Sequence, residues 1–230
     1  MIPLKDLTPR RSFPVITLLL IVVNFLIFFY QLSLPPKAGE ALVMTNGLVP
    51  VRIQYALIGA HHVTFAQALV PLFTCMFLHG GWMHIIGNMW FLWIFGGNVE
   101  DRFGAFPYLL FYIVCGLGSG ISQVMFSWGS KIPSIGASGA ISGVLGAYIV
   151  FFPGSRILTL VPLFIIFFLA RIPAVIFIGL WFIVQFLSGL GSLNAVSTGG
   201  VAWWAHVGGF AIGAVIALST KSETRVSAYG

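Results

Sequence analysis

The chain has 230 residues, of which 59% are hydrophobic and only 7% charged, and its formal net charge is +6. Soluble domains carry roughly 25% charged residues, so this chain lacks the charge to cover a water-facing surface. Its 11 basic residues are scattered beside apolar segments, which excludes a nucleic-acid footprint and reads instead as a membrane-orientation signal.

Several apolar runs approach or exceed the roughly 20 residues needed to cross a bilayer. The pattern predicts an all-α integral membrane protein with six transmembrane helices. Residues 1–13 read as an N-terminal tail, 14–218 as the membrane domain and 219–230 as a C-terminal tail. The first span is about Pro14–Gln31, behind Lys5, Arg10 and Arg11. Its apolar run is too long for a signal-peptide core and no small-residue cleavage site follows. A connection of mixed polarity, about Leu32–Val70, contains Pro35, Pro36 and Pro50 and is expected to lie partly in the interface. The second span is about Gly81–Gly97, the third Phe106–Phe126, the fourth Gly139–Phe152, the fifth Pro173–Gly189 and the sixth Gly200–Leu218. Ile157–Ala170 is apolar but short and is interrupted by Arg171-Ile172-Pro173. It reads as a membrane-embedded connection and not a crossing.

Six crossings put both termini on one side. That side would hold Lys5, Arg10, Arg11, Arg102, Arg156, Arg171, Lys221 and Arg225, against Lys37, Arg52 and Lys131 on the other. The asymmetry places both termini in the cytoplasm. The fourth span is short: at 1.5 Å per residue it covers roughly 21 Å, against a hydrocarbon core of about 30 Å. The stretch Ser130–Gly136 before it contains Pro133 and polar residues. Irregular backbone at membrane depth requires burial in protein or a wet cavity, so a cavity open to the outer face is expected where this helix begins.

Polar side chains inside spans are functional candidates by default. Here they are Ser138 at the start of span four, His206 in span six, and His79, His84 and Asn88 at the beginning of span two. Topology brings the three helix starts to the outer side at similar depth. A serine hydroxyl is a weak nucleophile that needs an adjacent base, and histidine is the usual base. Gly139 and Gly143 on span four, with Gly209 and Gly213 on span six, form small-xxx-small pairs that would let these helices approach. His84 and Asn88 share a helix face and can donate to a developing oxyanion, with the Ser138 N–H at a helix N-terminus as a third donor. Glu100 and Asp101 belong to the opposite end of span two, so a Ser–His pair without an acid is expected. The alternatives are packing roles for the small residues, structural hydrogen bonding by His206, His84 and Asn88, or a metal bound by His79, His84 and His206. No carboxylate ligand or His-Glu-x-x-His motif supports a metal, and none is expected. Ser134 and Ser142 are rival serines; His61 and His62 read as loop residues.

Three segments, His79-Gly80-Gly81-Trp82-Met83-His84-Ile85-Ile86-Gly87-Asn88, Gly136-Ala137-Ser138-Gly139-Ala140 and Ala205-His206-Val207-Gly208-Gly209, resemble the bacterial rhomboids, intramembrane serine proteases. Their order and spacing match from about Pro71 to Leu218. The resemblance implies Ser138 as nucleophile and His206 as general base of a serine endopeptidase. It implies an oxyanion hole of His84, Asn88 and the Ser138 amide, and structural roles for His79, Glu100 and the motif glycine Gly136. It further implies a six-helix bundle in a bacterial inner membrane, no cofactor, metal or nucleic acid, and transmembrane helices as substrates, cut near the outer face. Span five and the Ser188–Gly200 loop would be gate and cap. Two departures stand out: Val51-Arg52 replaces a Trp-Arg pair in the first loop, and Ser142 replaces an aromatic residue that packs on the histidine. The rival reading is a rhomboid-like fold that binds transmembrane helices without cutting them. A channel or transporter is disfavoured because no inverted repeat or intramembrane acid is evident.

Overall fold

In a computed structural model, residues 1–60, 63–163, 166–193 and 201–221 are described. His61, His62, most of the expected cap segment and the end of the C-terminal tail lie outside the described residues.

Helix α1 (Val15–Ser33) follows Pro14 and starts against a buried carboxylate. Glu100 accepts hydrogen bonds from the Ile16 N–H at 2.9 Å, the Thr17 N–H at 2.8 Å and the Thr17 hydroxyl at 2.8 Å. It thereby satisfies first-turn donors that have no partner within the helix. The long connection contains two short helices, α2 (Pro36–Asn46) and α3 (Pro50–Leu57), each with proline in its first turn, where its missing N–H is not needed. Helix α4 (Phe65–Thr74) begins with a Thr64–Gln67 capping box.

A 3₁₀ turn, Cys75–Phe77, ends this arm. The chain then bends by 77° into a long rod. The rod is made of α5 (Trp82–Phe91), a buried π turn (Leu92–Gly96) and α6 (Gly97–Phe103). Gly104, at φ +83°, turns the chain into α7 (Ala105–Phe126). Helix α8 (Ser138–Phe151), α9 (Ala174–Ser192) and α10 (Trp203–Lys221) complete the bundle. Helices thus occupy all six predicted positions. Among the described residues α1, α7, α9 and α10 are each long and apolar enough to cross a membrane, and there are five such spans if the bent pair Phe65–Phe77 and Trp82–Phe103 is taken as one. Helix α8 is the shorter apolar helix. It can be short because it does not face lipid: every residue from Gly139 to Tyr148 is buried.

The most extensive helix contact is between α8 and α10. A Cβ added to Gly209 would lie 2.0 Å from the Gly139 carbonyl oxygen, and one added to Gly213 would lie 2.0 Å from that of Gly143. The two predicted glycine pairs therefore interlock backbone to backbone. Helix α7 closes the third side, with Ser119 against Gly139 and Cys115 against Gly143.

Hydropathy did not foresee one feature. Ile157–Ala170, expected as a membrane-embedded connection and not a crossing, contributes to two antiparallel strands, β2 (Arg156–Leu163) and β3 (Ile166–Pro173), which pair as a β-hairpin. The N-terminal segment, expected as a tail, adds β1 (Ile2–Asp6) antiparallel to β2, with Ile2 opposite Leu160 and Asp6 opposite Ile157. The segment is rich in β-branched and aromatic residues, which suit a pleated sheet. Its Ile157 and Thr159 are fully buried. Thr8 ties this end to the bundle through hydrogen bonds with Tyr148 at 3.0 Å and Ser155 at 2.7 Å. Lys5, Arg156 and Arg171 lie on the sheet. Beside it, the Arg11 N–H donates to Asp101 at 3.1 Å, the Arg10 guanidinium covers Trp93 at 5.9 Å and that of Arg102 covers Phe151 at 5.4 Å. Of the basic residues assigned to one side, Lys5, Arg10, Arg11, Arg102, Arg156 and Arg171 thus gather at one end, remote from the start of α8, and Arg225 lies outside the described residues.

Candidate active site

At the other end, the first turn of α8 meets the first turns of α10. The Ser138 Oγ lies 2.8 Å from His206 Nε2. The serine is half-buried, whereas the histidine is 7% exposed. Glycine interlocking explains the contact: two helices that touch backbone to backbone can bring a short serine side chain against an imidazole. The opposite face of the imidazole is also engaged, with Nδ1 2.6 Å from Gln185 Oε1 of α9. Trp181 of α9 and Trp203 of α10 pack around the ring, with centroids at 6.0 and 6.3 Å. They supply the aromatic packing that Ser142 cannot.

Helix α10 is registered against α7 by polar side chains. Gln123 accepts from the Ala205 N–H at 3.1 Å, and the Ser122 hydroxyl donates to the Trp204 carbonyl at 2.8 Å. The rival Ser142 turns back onto its own helix, donating to the Ser138 carbonyl at 2.6 Å. Ser134 bridges Leu48 through its backbone.

His84 and Asn88 of α5 converge on Gly136, two residues before Ser138. A Cβ on Gly136 would stand 2.7 Å from His84 Nε2 and 3.5 Å from Asn88 Nδ2. Gly136 also has φ +125°, so both its space and its conformation call for glycine. The Gly80 N–H donates to His84 Nδ1 at 3.3 Å, which assigns the proton of a neutral ring to Nε2, the atom aimed at Gly136. Asn88 Nδ2 is buried and has no hydrogen-bond partner among the described residues. His79 plays a different part. Its ring packs edge-on against His84 at 5.1 Å, and Gln31 of α1 holds its backbone, accepting from the N–H at 3.0 Å and donating to the carbonyl at 3.2 Å. Glu100 caps α1 at the far end of the rod, as described above.

The predicted constellation is thus brought together with the exception of Glu100, whose role is remote. Sequence reasoning missed Gln185, Trp181 and Gln123. Gln185 carried a signal, because an amide inside an apolar span requires a partner. The others read as ordinary span residues. Among the described residues no three His, Cys, Asp or Glu side chains are grouped as a metal site.

The fold is that of a multi-pass membrane bundle with its polar residues gathered where α5, α8 and α10 begin. The rhomboid-domain family model matches residues 53–222, and the chain belongs to the rhomboid family. RHOMBOID-like protein 4 of Arabidopsis thaliana is 35% identical over 142 residues, covering 62% of this chain and 32% of that protein. The mitochondrial RHOMBOID-like protein 6 of the same plant is 41% identical over 76 residues, 33% of this chain and 24% of that protein. The Rhomboid protease GluP of Bacillus subtilis is 42% identical over 76 residues, 33% of this chain and 14% of that protein. The matched stretches span no more than about a third of these relatives.

Proposed function

We propose that this chain is an intramembrane serine endopeptidase that cuts transmembrane helices near the outer face of the membrane with a Ser138–His206 pair. The observation that carries this reading is the 2.8 Å contact between Ser138 Oγ and His206 Nε2 inside a bundle of the rhomboid family. Ser138 Oγ attacks the scissile carbonyl carbon as His206 Nε2 takes the hydroxyl proton. The negative oxygen receives hydrogen bonds from His84 Nε2–H, Asn88 Nδ2–H and the Ser138 N–H, the last in a helix first turn where the dipole adds to the field. Collapse breaks the C–N bond, and His206 returns its proton to the leaving amine. Water then attacks the acyl-enzyme, again through His206, and restores the serine. No cofactor or metal takes part.

In this reading Ser138 lies towards the outer side of a bacterial inner membrane, and both termini face the cytoplasm. A water-filled cavity supplies the hydrolytic water, and α9 with the segment after it gates a helix that must unwind to reach the serine.

Labelling by a serine-reactive fluorophosphonate in detergent, paired with cleavage of a model transmembrane substrate, tests the proposal. Both signals should appear in the native chain and disappear in Ser138→Ala and His206→Ala. Labelling that survives Ser138→Ala would refute the nucleophile.

A further inference from the structure

Gln185 is the one buried polar side chain on the inward stripe of α9, which otherwise consists of Ala174, Phe177, Ile178 and Gly189. It is 7% exposed. A buried amide in an apolar helix is costly unless it is hydrogen-bonded, and the partner it finds is the catalytic candidate itself: Oε1 stands 2.6 Å from His206 Nδ1. A carbonyl oxygen only accepts. The bond therefore assigns the ring proton to Nδ1 and leaves Nε2 with its lone pair facing the Ser138 hydroxyl. That is the tautomer a general base requires.

We propose that Gln185 is the positioning residue of His206, a neutral stand-in for the acid of a triad, delivered by α9. This rests on the reading of Ser138 and His206 as the reacting pair. Among the described residues no carboxylate is placed to do the same: Asp6, Glu100 and Asp101 belong to the sheet end, and Glu40 is exposed on α2. The nearest side chains of the other packed helices cannot do it either. Helix α7 presents Ser122 and Gln123, which bind the Trp204 carbonyl and the Ala205 N–H, and Trp181 and Trp203 offer only ring contacts.

The arrangement has a second consequence. Helix α9 is located at one end by the Ala174 N–H on the Ser155 carbonyl at 2.8 Å, and near the other by Gly189 against Trp204. Gln185 lies between these points. A displacement of α9 away from the bundle withdraws Oε1 from the imidazole, so the base is oriented only while α9 is seated.

The test compares fluorophosphonate labelling rates of the full chain with those of Gln185→Leu, which removes the acceptor, and Gln185→Glu, which keeps it. Losing a buried hydrogen bond to the orienting atom should slow labelling about tenfold to a hundredfold in Gln185→Leu, while Gln185→Glu retains most of the rate. In parallel, ¹⁵N spectra of the native chain labelled at histidine should show His206 protonated at Nδ1 and unprotonated at Nε2. A native rate in Gln185→Leu, with labelling still abolished by His206→Ala, would overturn the positioning role and leave the protease reading intact. If Gln185→Leu does not fold, a native spectrum with the proton on Nε2 would overturn it equally. Native labelling that is indifferent to His206→Ala would remove both readings together.

Discussion

Asn88 separates packing from chemistry at the scale of one side chain. Its Nδ2 is buried, donates to no protein atom among the described residues and is directed toward Gly136. A polar group held without a partner costs about 1–3 kcal/mol, which is reasonable where charge will develop in a transition state. Asn88→Ala should therefore slow cleavage by about 10²–10³ while leaving the detergent-solubilised protein folded, as read by circular dichroism and gel filtration. An unchanged rate would make Asn88 a structural residue only. At this scale the sequence was legible where a polar group stood alone in apolar surroundings, as Ser138, His206, His84 and Asn88 do. Trp181 and Trp203 were hidden, because an aromatic residue in a membrane helix does not reveal which ring it will cover.

Among the helices, α8 and α10 have the closest fit. Gly209 and Gly213 touch carbonyl groups of α8, and a carbonyl in a helix cannot step aside as a flexible side chain can. Gly213→Val should lower the thermal midpoint in detergent, in line with overpacking costs of about 1–3 kcal/mol or more, and should reduce activity by separating Ser138 from His206. Ala211→Val, on the exposed face of the same helix, should leave both nearly unchanged. If the two variants melt together, the interlocking is unimportant. The small-xxx-small spacing made this pairing readable in advance, and helix positions followed from hydropathy. The β-hairpin did not, because a run of apolar and β-branched residues such as Ile157–Leu163 is too short to distinguish a strand from part of a helix until its pairing partner is known. Here one partner, β1, comes from the other end of the sequence.

For the molecule as a whole, the proposed orientation rests on a sum of charges and not on any one contact. Lys5, Arg10, Arg11, Arg102, Arg156 and Arg171 meet at the sheet end, and Lys131 is exposed in the segment that leads to α8. Both native cysteines, Cys75 and Cys115, are buried, so single introduced cysteines can be read without background. A membrane-impermeant maleimide applied to intact cells should label Lys131→Cys and spare Arg171→Cys until the membrane is opened. The reverse pattern would invert the proposed topology.

The pairing of Ile2 with Leu160 also constrains how the molecule is made. Strand β1 is synthesised well before its neighbour β2, which follows only after α1 to α8. The hairpin of β2 and β3 can close locally, whereas β1 must wait and join across the long stretch between Asp6 and Ile157, the slow kind of closure. Strand β1 is thus among the last elements to settle, and a fusion partner that holds it away would leave β2 with an unpaired edge.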